Sequence, residues 1–177
     1  MKNLLRPAAP SMDEPLEMLS ACHERMHAQL ETLQRLSEWL PEHGADAQAQ
    51  QAASGIIRYF DVAAVNHHMD EEADLLPAMA AAACSTAEQE QVQAMRTWVL
   101  ADHQHLFRHW ARMRECLADI AEGRARELLP VQVHEFADAY KTHITREERE
   151  LLPLAERLLD AQTLQQMSHA MTARRKG

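Results

Sequence analysis

Two eleven-residue stretches hold the residues best suited to chemistry: His67-His68-Met69-Asp70-Glu71-Glu72-Ala73-Asp74-Leu75-Leu76-Pro77 and His143-Ile144-Thr145-Arg146-Glu147-Glu148-Arg149-Glu150-Leu151-Leu152-Pro153. Six of the eleven positions are identical, and in both copies a Glu follows a His by four residues. That spacing places an imidazole and a carboxylate on one face of a helix, where both can ligate one metal. Each copy then runs through Leu-Leu into Pro, so the chain downstream of the ligands repeats as well. The pattern reads as one helical hairpin used twice, with a metal site held between the copies.

An ionised carboxylate in a helical core is costly and either takes up a proton or finds a cation. Glu71 and Glu147 on inward stripes, joined by His67, His143, His23 and His103 on converging seams, are hard to explain as packing. A dinuclear site removes the difficulty, because neutral imidazoles donate lone pairs and each carboxylate bridges two cations through its two oxygens. Bundle cores build such sites from side chains on facing helices. Taken alone, His23 or His103 reads as a hydrogen-bonded core residue; the recurring His67/Glu71 and His143/Glu147 pairs point to metal. His27, four residues after His23, is a further candidate imidazole whose counterpart Phe107 cannot ligate, and Glu148 is a substitute for Glu147. His68 lies about 100° round the helix from His67 and His105 about 200° from His103, so both are expected behind the ligands or at the surface. The same is expected of His109, and His43, His134 and His169 fall outside the constellation.

The elements that must position these residues follow from periodicity. Leu16, Leu19, His23, Met26, Leu30 and Leu33 step by three and four residues, the stripe of a bundle helix opened at Asp13 and Pro15 and ended over Pro41 to Gly44. Asp46 opens a second helix with the stripe Ile56, Phe60, Ala64, His67, Glu71, and Pro77 should end or kink it at Leu76. After a turn at Cys84-Ser85-Thr86, a third helix over 87–121 carries Val92, Met95, Val99, His103, Leu106, Trp110, Met113 and Leu117, stopping at Gly123. A fourth carries Val133, Phe136, Tyr140, His143 and Glu147 and is broken or bent at Pro153; a short terminal helix over 163–173 follows. The expected fold is all-α: an up-down antiparallel four-helix bundle with a pseudo-two-fold hairpin repeat, a single domain over 13–177 after an irregular lead-in over 1–12. His23 to His67 spans 44 residues and His103 to His143 spans 40, so the hairpins bring all four His to a similar depth.

Composition narrows the class. Four Gly and seven Pro in 177 residues, with ten Met, favour helix, and no stretch alternates as a strand does. A net charge of −9 argues against nucleic acid, since the one basic cluster, Arg174-Arg175-Lys176, reads as a solvated tail. Cys22, Cys84 and Cys116 are odd in number with no CxxC, which fits free thiols in a reducing compartment. Met1 to Ser11 does not read as a signal peptide and no apolar run is long enough for a span, so a cytoplasmic protein is expected, without nucleic-acid or membrane partners.

These residues resemble the hemerythrin-like, or HHE cation-binding, family: a His in helix one (His23), His-x-x-x-Glu in helix two (His67, Glu71) running into Leu75-Leu76-Pro77, a His in helix three (His103), and a carboxylate-bearing motif in helix four (His143, Glu147). The similarity covers roughly residues 15 to 160. It implies a non-haem di-iron centre (Fe2+/Fe3+) bridged by two carboxylates and, when oxidised, by an oxo or hydroxo group; manganese and zinc suit the same donors. The implied function is binding of dioxygen, or of nitric oxide or peroxide, more as a binding protein than as an enzyme. Oxygen-carrying hemerythrins place a His pair four residues apart in helix three, and here the second place is Phe107. Alternative readings are iron storage or donation for repair of iron-sulfur centres, and a metal-dependent oxygen or redox sensor. A di-iron oxidase ranks low, because Glu24-x-x-His27 is the sole Glu-x-x-His motif.

Overall fold

The computed structural model describes residues 14–176, and every regular element among them is helical. The expected lead-in over 1–12 and the expected cap at Asp13 lie outside the described residues. Helix α1 spans Pro15–His43, with Pro15 in the first turn, where a missing N–H costs nothing. It runs through Pro41 and ends, within the expected stretch, at Gly44, whose positive φ of 63° suits a residue without Cβ and whose N–H donates to the Leu40 carbonyl at 2.8 Å.

Asp46 caps α2 (Ala47–Arg58) by accepting the Ala49 N–H at 2.8 Å. The helix then winds on through a π turn at Tyr59–Ala63, α3 (Ala64–Met69), a second π stretch at Asp70–Leu75, and α4 (Leu76–Ala82). A Ser85/Glu88 capping box starts α5 (Thr86–Ala121). Helix α6 (Pro130–Arg146) passes through a π turn at Glu147–Leu151 into α7 (Leu152–Leu158), and Asp160 caps α8 (Ala161–Arg174).

Neither Pro77 nor Pro153 ends its helix. Leu76 keeps helical dihedrals (φ −63°, ψ −41°), and in both copies the turns just before the proline are wound as π-helix. Wider winding relieves the clash of a proline ring with the carbonyl four residues back, and it dispenses with the amide hydrogen that proline lacks. Both π stretches contain the ligand-type carboxylate, Glu71 or Glu147.

Two apolar cores flank one polar layer. One is built around Met26, Leu30, Leu33, Ile56, Phe60, Leu106, Trp110, Phe136 and Tyr140. The other is built around Leu19, Leu75, Leu76, Met79, Val99, Leu151, Ala155 and Met171. Each long helical run passes from one core to the other through a ligand-type His: Leu19, His23, Met26 on α1; Ala64, His67, Leu75 on the second run; Val99, His103, Leu106 on α5; Tyr140, His143, Leu151 on the fourth.

The basic C-terminus is not a solvated tail. Helix α8 lays Met167 and Met171 into the second core, which brings Arg174 onto Asp70 and Asp74, the latter at 2.8 Å. Arg175 bonds Asp70 at 2.6 Å and 3.2 Å. Asp70 is fully buried, so its charge needs these guanidiniums. No helix of the described residues is long and apolar enough to cross a membrane.

Candidate metal centre

The polar layer collects His23, His67, His103, His143, Glu71 and Glu147, all at most 2 % exposed. The ring nitrogens of His23 and His67 face each other, Nε2 to Nε2, at 3.1 Å, and those of His103 and His143 do so at 3.2 Å. Glu147 sits between the pairs, 3.1 Å from His23 Nε2 and 3.0 Å from His143 Nε2. Glu71 lies 3.2 Å from His67 Nε2 and 3.4 Å from His103 Nε2.

Three of the four outer nitrogens are committed to carboxylates. His23 Nδ1 donates to Glu148 at 2.6 Å, His103 Nδ1 to Glu72 at 2.6 Å and His143 Nδ1 to Asp102 at 2.9 Å. A proton fixed on Nδ1 leaves the Nε2 lone pair pointing into the layer, the tautomer that metal ligation uses. Two such lone pairs, as His103 and His143 present at 3.2 Å, repel unless a cation or a proton lies between them. Imidazole nitrogens that ligate one ion at about 2.1 Å stand roughly 3 Å apart, close to the separation within both pairs.

The carboxylates make the same point. All four oxygens of Glu71 and Glu147 are buried without a hydrogen bond, a condition that folded proteins avoid unless a cation or proton balances it. Donor atoms of His23, His67, Glu71 and Glu147 lie within 4.8 Å of one another, and so do those of Glu71, His103, His143 and Glu147. Both carboxylates belong to both groups. The residues present therefore fit metal cations, with two donor groups that share both carboxylates.

In the metal-free cluster protons take the cations' place. Burial would push the His143 imidazole down, but Glu147 and Asp102 outweigh burial and hold it up at about 9. His67 is likewise raised, against burial, by Glu71 and Cys22. Burial would raise the Glu71 carboxyl, and His67 and His103 hold it well below its usual range instead.

His27 is half-buried and outside both groups, and Glu148 is not in them either: it orients His23. Of the residues expected off the inward face, His105 and His109 lie against each other outside the layer, with ring centroids 4.4 Å apart. His68, expected behind the ligands or at the surface, takes the first of those places. It is buried, its ring stacks on His103 at 3.9 Å, and neither of its nitrogens has a partner. Sequence reading offers Glu148 as a substitute ligand and does not anticipate the orienting roles of Glu72, Glu148 and Asp102. Glu72 and Glu148 had a signal, since both repeats carry them, one residue past the ligand; Asp102 had none nearby, as its partner is 41 residues away. The overlay of Ala21-Cys22-His23 on Ala101-Asp102-His103 puts Cys22 where Asp102 stands. Cys22 accordingly interacts with His67, and burial, which would push its thiol up, is outweighed by His67 and Arg25, bringing it down to about 7.

These orienting contacts yield an expected outcome. Glu72→Ala, Glu148→Ala and Asp102→Ala should each weaken metal binding by about 10–100-fold while leaving helical content unchanged. Competition with a chelator of known affinity measures it, and unaltered affinity in all three would remove their orienting role.

A protein of Haemophilus influenzae described as "Uncharacterized protein" is 29% identical over 164 residues, 93% of this chain and 91% of the other. The family model for the hemerythrin HHE cation binding domain matches residues 14–155, which include every side chain of the polar layer and exclude α8. With that match spanning both copies of the repeat, the chain belongs to the hemerythrin HHE cation-binding domain family.

Proposed function

We propose that His23, His67, His103 and His143, with Glu71 and Glu147, hold a pair of iron ions at the centre of a single-domain, up-and-down four-helix bundle. The pair binds dioxygen or a related small oxidant, nitric oxide or peroxide. The observation that carries this reading is the sharing of two orphaned carboxylates by two groups of donors. The up-and-down order is supported by the sense in which successive helical runs traverse the two cores: from second to first on α1 and α5, from first to second on the other two. Three free thiols agree with a reducing compartment such as the cytoplasm.

When bound, an iron pair supplies electrons and an open coordination position to a small oxidant. The chain does the rest. Glu148, Glu72 and Asp102 hold the imidazoles in one tautomer and orientation. The apolar cores on either side keep bulk water from the layer and strengthen every electrostatic interaction inside it. Tyr140, whose phenol is kept protonated by burial, with Tyr59, Glu147 and Glu71 adding to the effect, stacks 6.2 Å from His68 and retains a proton next to the layer.

Anaerobic loading with ferrous ion followed by aeration tests the reading. Uptake of about two ions per chain and a visible charge-transfer band on exposure to air are expected; a preparation that stays colourless would overturn it. Loading must also expel protons, because the His143 ring, with its pKa near 9, is charged at neutral pH in the metal-free protein and must be neutral to ligate. Affinity for ferrous ion should therefore fall as pH falls, and loading in weakly buffered solution should acidify it, as a pH indicator would show.

A further inference from the structure

Three imidazoles of the layer are held from behind by carboxylates, and the fourth is not. His67 Nδ1 is buried and makes no hydrogen bond to nitrogen or oxygen. A buried N–H without an acceptor is costly, and a ring with nothing behind it is free to turn away from its task. His67 Nε2 already faces His23 at 3.1 Å and Glu71 at 3.2 Å. The remaining side chain in polar contact with His67 is Cys22, so Nδ1 is the nitrogen left for its sulfur.

The repeat leads to the same pair of residues. Asp102, one residue before His103 on α5, accepts from His143 Nδ1 at 2.9 Å. Cys22 stands one residue before His23 on α1, and His67 opens the first copy of the motif as His143 opens the second. The two-fold relation that puts Asp102 behind His143 thus puts Cys22 behind His67. Where one half of the molecule uses a carboxylate, the other has a thiol.

The surroundings of the thiol suit an acceptor. Cys22 is buried and free of any disulfide. Arg25 Nη2 donates to its sulfur at 3.1 Å, and Arg175, at the end of α8, approaches the same sulfur. The Tyr59 hydroxyl donates to the Cys22 carbonyl at 3.2 Å and ties the backbone there to the second helical run. With donors on its outer side, the sulfur is left to accept from the imidazole on its inner side.

We propose that Cys22 is the positioning residue of His67: its sulfur accepts the Nδ1–H and keeps Nε2 turned into the layer, as Asp102 does for His143. The contact itself rests on the repeat and the geometry, and its effect on metal rests on the iron-pair reading above. A sulfur accepts more weakly than a carboxylate, so His67 is the least firmly held of the four imidazoles.

Cys22→Ala, which removes the acceptor, and Cys22→Asp, which installs the acceptor of the other half, test this. Each is checked for native helical content by circular dichroism. In metal-free protein with nitrogen-15 in its histidine rings, the His67 Nδ1–H resonance is identified by its absence in His67→Gln. It should be protected from exchange with water in the wild type and in Cys22→Asp, and lost in Cys22→Ala. On anaerobic titration with ferrous ion, one of the two ions should bind about 10–100-fold more weakly to Cys22→Ala, while Cys22→Asp binds at least as tightly as the wild type. An unprotected resonance in the wild type, or a protected one in folded Cys22→Ala, would overturn the assignment whatever the metal does. Affinity as low in folded Cys22→Asp as in Cys22→Ala would also overturn it, because the sulfur would then only fill space. A wild-type chain with the protected resonance that takes no iron would instead overturn the iron-pair reading and leave the contact standing.

Discussion

Glu147→Ala should bring bound iron from about two ions per chain to less than one after anaerobic loading and desalting. Glu147 is the residue most shared within the layer: its carboxylate is 3.1 Å from His23, 3.0 Å from His143 and 3.9 Å from His103, and its oxygens belong to both donor groups. On the two-ion reading proposed above, its removal would take an anionic ligand from each ion at once and leave their positive charge balanced by Glu71 alone, in a layer that water does not reach. Removing His23 deprives only one donor group, so its effect on total metal should be smaller. Inductively coupled plasma analysis of both variants checks the ranking. Equal and full metal in Glu147→Ala would show that the carboxylate bridges nothing.

The second large effect lies outside the layer. Arg174→Ala with Arg175→Ala should destabilise the metal-free protein by about 3 kcal/mol or more, because Asp70 is then left as an uncompensated charge in a fully buried position. The guanidiniums themselves are 20 % and 26 % exposed, which places the expected loss at the lower end of the about 3–5 kcal/mol typical of a broken buried pair. For a chain of this size that lowers the melting temperature by roughly 6–12 °C. Either single variant leaves one arginine on Asp70 and should cost distinctly less. Thermal unfolding is followed in metal-free protein, since bound metal adds stability by mass action and would mask the change. A double variant melting with the wild type would mean that α8 is held by Met167 and Met171 alone.

The reach of the sequence can be judged from particular residues. His23, His67, His103 and His143 stood on apolar stripes of period three and four, and the same periodicity sets their burial; the duplicated His-x-x-x-Glu supplied the carboxylates. What periodicity could not supply is position within a helix that changes its winding. The arithmetic of about 100° per residue, which holds for an α-helix, sets His68 off the inward face, behind the ligands or at the surface. Here π turns at Tyr59–Ala63 and Asp70–Leu75 flank the residue, and the buried face is broad enough to admit two successive side chains. The same winding explains why Pro77 and Pro153 continue their helices. Arg175 and Asp70, 105 residues apart, carry no local sign of one another; only the docking of α8 joins them. Asp102 and His143 are the same kind of case at 41 residues.

The most direct measurement is the iron content of the purified chain, loaded anaerobically, beside His67→Ala and His143→Ala. Expected are about two ions per wild-type chain and clear loss in each variant, since each removes an inward Nε2 from a different donor group. Full iron in both variants would contradict a centre built from these side chains.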